Sequence, residues 1–187
     1  MSAHAPAAVG GRPAAVRYAE VAVPGAAIGL VGGVFAAGVA ALAGLPALQV
    51  AAIATGLGVP LALLGAGYGV LLALGRFGVG AVGPAAVYWI IGFPLARLVD
   101  EVAVATVLGH DTILREPLLS FLAYQAMLSV GFAIGFLWLH ERLAPHWLVR
   151  IRSHNSVADD LVGRYLRQID EMNSRRPAAR RDRRRTT

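Results

Sequence analysis

The stretch VAVPGAAIGLVGGVFAAGVAALAGLPALQVAAIATGLGVPLALLGAGYGVLLALG, residues 21–75, decides the fold. It runs 55 residues without one charged side chain. A bilayer core of about 30 Å is crossed by roughly 20 apolar residues in a helix. The run is therefore too long for one soluble core helix and long enough for two crossings. Gly44-Leu45-Pro46 divides it, giving a first crossing over 21–43 and a second over 47–74. Pro24 falls in the first turn of the first crossing, where a missing N–H costs little. Pro60, with Gly56 and Gly58 before it, predicts a kink in the second.

Working toward the carboxyl end, Gly75-Arg76-Phe77-Gly78 reads as a turn and 79–98 as a third crossing. Arg76 and Arg97 bracket it, separated by roughly 31 Å of helix at about 1.5 Å per residue. Both guanidinium groups can snorkel to headgroups from those positions. Residues 98–116 form the one substantial loop, with Asp100, Glu101, Asp111 and Glu116 against Arg115. Within it, 102–109 is apolar again and is expected as a short helix that lies in the interface or folds back onto the bundle. The fourth crossing is read over 117–139, with Pro117 in its first turn. Trp138 and Trp147 suit the aromatic belt.

Composition agrees with this reading. The chain has 187 residues, is 57% hydrophobic and has a mean hydropathy of +0.61. Soluble domains lie nearer about 45–50% apolar. There is no Cys, which excludes disulfides, thiol catalysis and Cys-ligated metal clusters. All 17 basic residues are Arg, which removes the Walker-type lysine and Schiff-base chemistry. An Arg-only, Ala- and Gly-rich chain points to a GC-rich bacterial genome. Arg12 and Arg17 with Ala41-Leu42-Ala43 imitate a signal peptide. The apolar run nevertheless exceeds the roughly 7–15 residues of a signal h-region, so a retained crossing is expected.

Arg placement sets the orientation. The amino-terminal arm, the 75–78 turn and the segment from Arg142 onward carry Arg; the first loop has none and the third is net acidic. Under the positive-inside rule both termini are cytoplasmic, in the cell inner (plasma) membrane. The fold class expected is thus an all-α integral membrane protein: a four-transmembrane-helix bundle, a short cytoplasmic amphipathic helix and a disordered basic tail. The domain boundaries are 1–17 for a disordered basic arm, 18–148 for the membrane domain, 149–174 for the amphipathic helix and 175–187 for the tail.

In that helix a stripe of Val162, Tyr165, Ile169 and Met172 follows Ala158 at alternating four- and three-residue spacing. It serves either to dock on the chain's own bundle or the membrane surface, or to bind a partner helix. The tail RRPAARRDRRRTT favours anionic lipid at the cytoplasmic face. Nucleic-acid binding is disfavoured, because no aromatics are interleaved to stack bases.

Arg97, Asp100 and Glu101 are the candidate ion- or proton-responsive residues. Their i,i+3 and i,i+4 spacing puts an ion pair on one helix face. They lie at the outer headgroup boundary if the crossing ends at 98, and within the membrane if the helix continues straight. Intramembrane charges commonly mark ion, proton or substrate paths. His110-Asp111 and His140-Glu141 resemble relay pairs but read as interfacial. The segment from His140 to His146 departs from the H-E-x-x-H pattern, and Pro145 is expected to interrupt the helix. No metal site, cofactor or catalytic motif is legible.

Gly25, Gly29 and Gly33, then Gly65 and Gly69, then Gly131 and Gly135 each recur at i,i+4. Such faces let helices approach closely, inside one bundle or between subunits. Tyr68, Tyr88, Trp89, Tyr124 and Gln125 need internal hydrogen-bond partners or interface positions. The functional expectation is a non-enzymatic accessory, assembly or scaffold subunit of a larger membrane complex, contacting other membrane subunits or itself. The alternative is a small oligomeric transporter or channel using the Arg97/Asp100/Glu101 cluster.

Overall fold

The computed structural model describes residues 12–185, with side-chain surroundings described as far as Ser174 apart from Met172. Five helices account for nearly all of it: α1 (Ala14–Leu42), α2 (Ala47–Ala73), α3 (Val82–Leu108), α4 (Leu118–Ile151) and α5 (Ser156–Arg185). There is no strand among the described residues. Three helices, α1, α2 and α4, are long and apolar enough to cross a membrane. α3 equals α2 in length at 27 residues and carries the Arg97 cluster.

Glycine ends three of the helices. Gly44, Gly75 and Gly109 all adopt positive φ, which a Cβ would disfavour. The N–H of the following residue reaches back to the helix: Leu45 to the Ala40 carbonyl, Arg76 to Leu71 and His110 to Ala105. These are Schellman closures, and they satisfy carbonyls that would otherwise be orphaned. The short turns make successive helices antiparallel. α1 packs on α2 and α4, and α3 packs on α2 and α4, so the four close into a ring.

The α1/α2 seam is built from glycine. A Cβ added at Gly25 would collide with the Gly65 carbonyl, and one at Gly29 with the backbone of Leu61 and Ala62. At Gly33 it would meet Gly58 and lie 2.8 Å from the Ala54 carbonyl oxygen. Gly69 faces Ala22 and Val21. These glycine faces meet each other within the chain. Gly131 and Gly135 differ: among the described residues nothing lies within 4 Å of a Cβ built at either one.

Three expectations from the sequence are corrected. α1 begins at Ala14, well before residue 21, so Pro24 sits inside the helix and not in its first turn. Proline donates no N–H, which leaves the Glu20 carbonyl without its i+4 partner. The Trp147 indole N–H takes that place at 2.7 Å. α3 does not stop at 98; it runs unbroken to Leu108, absorbing the segment expected as a separate interfacial helix. Its residues 99–108 contain no Pro or Gly, and Gly109 is the first stop signal. α4 likewise passes through Pro145 to Ile151.

α5 begins at Ser156, inside the 149–174 segment, and is helical to Arg185, including residues 175–185 that composition reads as a disordered tail. The arm at 1–11 and residues 186–187 lie outside the described residues. Asn155 is the joint between α5 and the bundle. Its Oδ1 accepts from the N–H of Val157 at 3.0 Å and of Ala158 at 3.1 Å, capping α5. Its Nδ2 donates to the Arg17 carbonyl at 2.8 Å and the Glu20 carboxylate at 2.9 Å on α1. Asn155→Ala removes cap and ties together. A lost cap alone costs about 0.5–2 kcal/mol. The expected result is faster amide hydrogen exchange in α5 with α1–α4 unchanged.

Candidate functional site

The structure brings Arg97, Asp100 and Glu101 together on one face of α3. Arg97 Nη1 donates to Asp100 Oδ2, and Nη2 donates to Glu101 Oε1 at 2.7 Å. Asp100 is buried, with 2% of its surface exposed; Glu101 and Arg97 are partly buried. The arrangement follows from the continuity of α3, because a helix stopping at 98 would have placed the carboxylates in a loop.

The Asp100 carboxylate is only half satisfied. Oδ1 has no hydrogen-bond partner. It points at Gly56 of α2, where an added Cβ would come within 2.8 Å of it and 3.0 Å of Ala103 Cβ. Gly56 is what allows α2 and α3 to approach here. The depths agree by residue count: Asp100 is about 12 Å from the end of α3, and Gly56 about 14 Å from the start of α2. Buried Gln125, whose Oε1 also lacks a partner, is about 10 Å from the start of α4.

Glu101 opens onto a cleft of ≈ 760 Å³ at the α3/α4 end of the bundle. His110, Asp111, Arg115 and Glu116 line the same cleft, as does Gln49 from α2. Its charged rim is acidic, with three carboxylates against one guanidinium. Toward the opposite end the bundle is filled with rings. Tyr68 packs edge-on against Phe136 at 5.2 Å and His140 at 5.1 Å; Trp89 lies 4.5 Å from Phe136 and 4.7 Å from Phe132.

The histidine pairs separate. His110 and Asp111 are exposed in the cleft loop, whereas His140 is 2% exposed, held among those rings with Nδ1 unpartnered. The sequence reading puts His140 at an interface; the structure makes it a core residue. His146 is exposed, within 2.8 Å of the Arg142 carbonyl. No group of acidic and histidine side chains among the described residues could hold a metal ion.

Of the polar-tipped residues, Tyr88 donates to the Leu64 carbonyl at 2.7 Å. Tyr68 and Trp89 are fully buried with their polar atoms unpartnered, and Tyr124 faces outward. Gln125, Tyr68 and Trp89 depart from the expectation that such groups find partners.

At the other end, α5 docks on the bundle. Arg164 donates to the carbonyls of Leu72 at 2.9 Å and Ala73 at 2.8 Å, closing the carboxyl end of α2. A cation there also complements the helix dipole. Val162 and Tyr165 of the sequence stripe are buried together with Ala158 and Leu161, while Ile169 is 47% exposed. Met172 falls outside the described side chains. Burial, and then the Glu141 carboxylate, push the Tyr165 hydroxyl well above the ordinary tyrosine range. Leu161 docks as well; its spacing of three from Ala158 and four to Tyr165 puts it on the same helix face.

Comparison with protein-family models, curated proteins and solved structures returns no match for this chain.

Proposed function

We propose that this chain is a four-crossing membrane protein, α1 to α4 spanning, with both termini cytoplasmic in a bacterial inner membrane. We assign it the role of a non-enzymatic accessory or scaffold subunit. One observation carries the role: the contrast between its two kinds of glycine face. Those of α1 and α2 are consumed in backbone contact within the chain. Gly131 and Gly135 stand open on an α4 face that also exposes Met127, Leu128, Ile134 and Trp138. Glycine on a lipid-facing surface forfeits packing unless another helix fills the notch. The aromatic packing around Tyr68, Trp89 and Phe136 further supports a structural role.

The test is extraction in mild detergent at native expression, followed by native-gel sizing and mass spectrometry. Stoichiometric foreign subunits that are lost in Gly131→Leu/Gly135→Leu, with the chain still folded, are the expected result. A homogeneous self-oligomer without partners overturns the accessory reading. The second reading is oligomeric transport through the Arg97/Asp100/Glu101 cluster, and the burial of Asp100 is what favours it. Flux abolished by Asp100→Asn in a folded protein would select it.

A further inference from the structure

The charges inside the outer half of the bundle do not balance. Asp100 and Glu101 share one guanidinium, Arg97. The elements packed on α3 supply no second cation. α2 contains no Asp, Glu, His, Lys or Arg over its whole length, and α4 has none before His140. The titratable groups of the 109–117 loop, His110, Asp111, Arg115 and Glu116, are exposed in the cleft. With both carboxylates ionised, the cluster carries one uncompensated negative charge, and Asp100 is almost wholly buried. An uncompensated buried charge is among the most costly features a fold can hold.

The hydrogen bonding misses balance in the same place and by the same amount. Asp100 Oδ1 is an acceptor without a donor. It packs against Gly56, and Gly56 is four residues before Pro60. Proline has no N–H, so the Gly56 carbonyl loses its ordinary helical donor. By that rule the Gly56 carbonyl lacks its helical donor at the same contact, and no donor of the described residues serves Oδ1. A single hydrogen on Oδ1 would cancel the surplus charge and turn that acceptor into a donor beside the α2 backbone.

We infer that Asp100 is a proton-binding site: its carboxyl holds a proton on Oδ1 at neutral pH. The protonated Oδ1 donates toward the α2 backbone at Gly56, and Oδ2 keeps the bond from Arg97. Arg97 and Glu101 then form a balanced pair. A proton fits where a metal ion does not. Hard cations take about six or more oxygen ligands, whereas one carboxylate oxygen against a glycine Cα leaves room for none. The inference needs only the burial of Asp100 between α2 and α3, and stands whether the chain is a subunit or a transporter.

The test is infrared difference spectroscopy on the full chain in lipid nanodiscs, titrated between acid and alkaline pH. The expected result is a protonated-carboxyl C=O band persisting at pH 7, lost in Asp100→Asn and kept in Glu101→Gln. Asn reproduces the neutral acid in shape, so Asp100→Asn is expected to fold. If it does not fold, Asp100→Glu serves instead, and a band whose frequency is unchanged in that folded variant overturns the inference. No such band at pH 7 in the wild type overturns the inference, as does a band that survives in folded Asp100→Asn. A wild-type carboxylate that stays ionised and responds to sodium and not to pH overturns it too, in favour of a cation site.

Discussion

Gly25→Leu and Gly29→Leu are each expected to abolish the folded monomer, read as loss of the monodisperse peak in size-exclusion chromatography of detergent extracts. Even alanine at either position is expected to lower the apparent Tm strongly. The reason is what the new atoms would strike. At both positions a Cβ meets backbone, the Gly65 carbonyl in one case and the Leu61–Ala62 peptide in the other. A flexible side chain could rotate away; a helix backbone cannot. α1 must move off α2, and the gap this opens reaches along the seam from Gly69 to Gly33. Overpacking in a core that can adjust costs about 1–3 kcal/mol. Here the whole seam separates, so the destabilisation is expected to exceed that range. Gly131→Ala and Gly135→Ala provide the contrast. Nothing stands within 4 Å of either added Cβ, and alanine favours a helix by roughly 0.8–1 kcal/mol over glycine. Both are expected to leave the isolated chain as stable as before or slightly more so. Equal damage from all four alanine substitutions would mean that the α4 face is already occupied within the folded chain.

Particular residues show how far this architecture is legible in sequence. The uncharged run at 21–75 and the Gly-Leu-Pro break at 44–46 locate the end of α1 and both ends of α2 closely, because hydropathy and turn chemistry act locally. The i,i+4 glycines announce close approach. Spacing alone cannot say that Gly25 meets Gly65 while Gly131 meets nothing, since that depends on which faces turn inward. The start of α1 and the end of α3 escape the sequence for a shared reason. Charge marks a membrane boundary, yet a helix continues through charged residues until a Gly or Pro stops it. Arg17 and Glu20 stand within α1, and Arg97, Asp100 and Glu101 within α3. The Trp147 bond to the Glu20 carbonyl shows why Pro24 is tolerated mid-helix: the freed acceptor finds a donor 127 residues away in sequence. The Arg97 pairs are legible as i,i+3 and i,i+4 neighbours. The burial of Asp100 is not, because it depends on a glycine of another helix.

Arg97→Gln is expected to be the most damaging single change in α3, and its rescue pattern separates the two charge states of the cluster. Among the described residues Arg97 is the sole cation bonded to either carboxylate. Breaking a buried ion pair by removing one partner costs about 3–5 kcal/mol, because the other charge is left uncompensated. The lower end applies here, since Glu101 is a third exposed and can turn toward the cleft. Which second change restores stability depends on the proton. If Asp100 is neutral, Glu101 is the one charge that Arg97 balances, and Arg97→Gln/Glu101→Gln regains most of the lost Tm. If Asp100 is ionised, that pair still leaves a buried carboxylate, and only the triple variant with Asp100→Asn recovers. Thermal unfolding of the single, double and triple variants in one detergent measures this directly. Recovery in the double variant is the expected result. By the same reasoning Glu101→Gln alone is expected to be tolerated: with Asp100 protonated it leaves a guanidinium that is partly exposed and keeps its bond to Asp100 Oδ2.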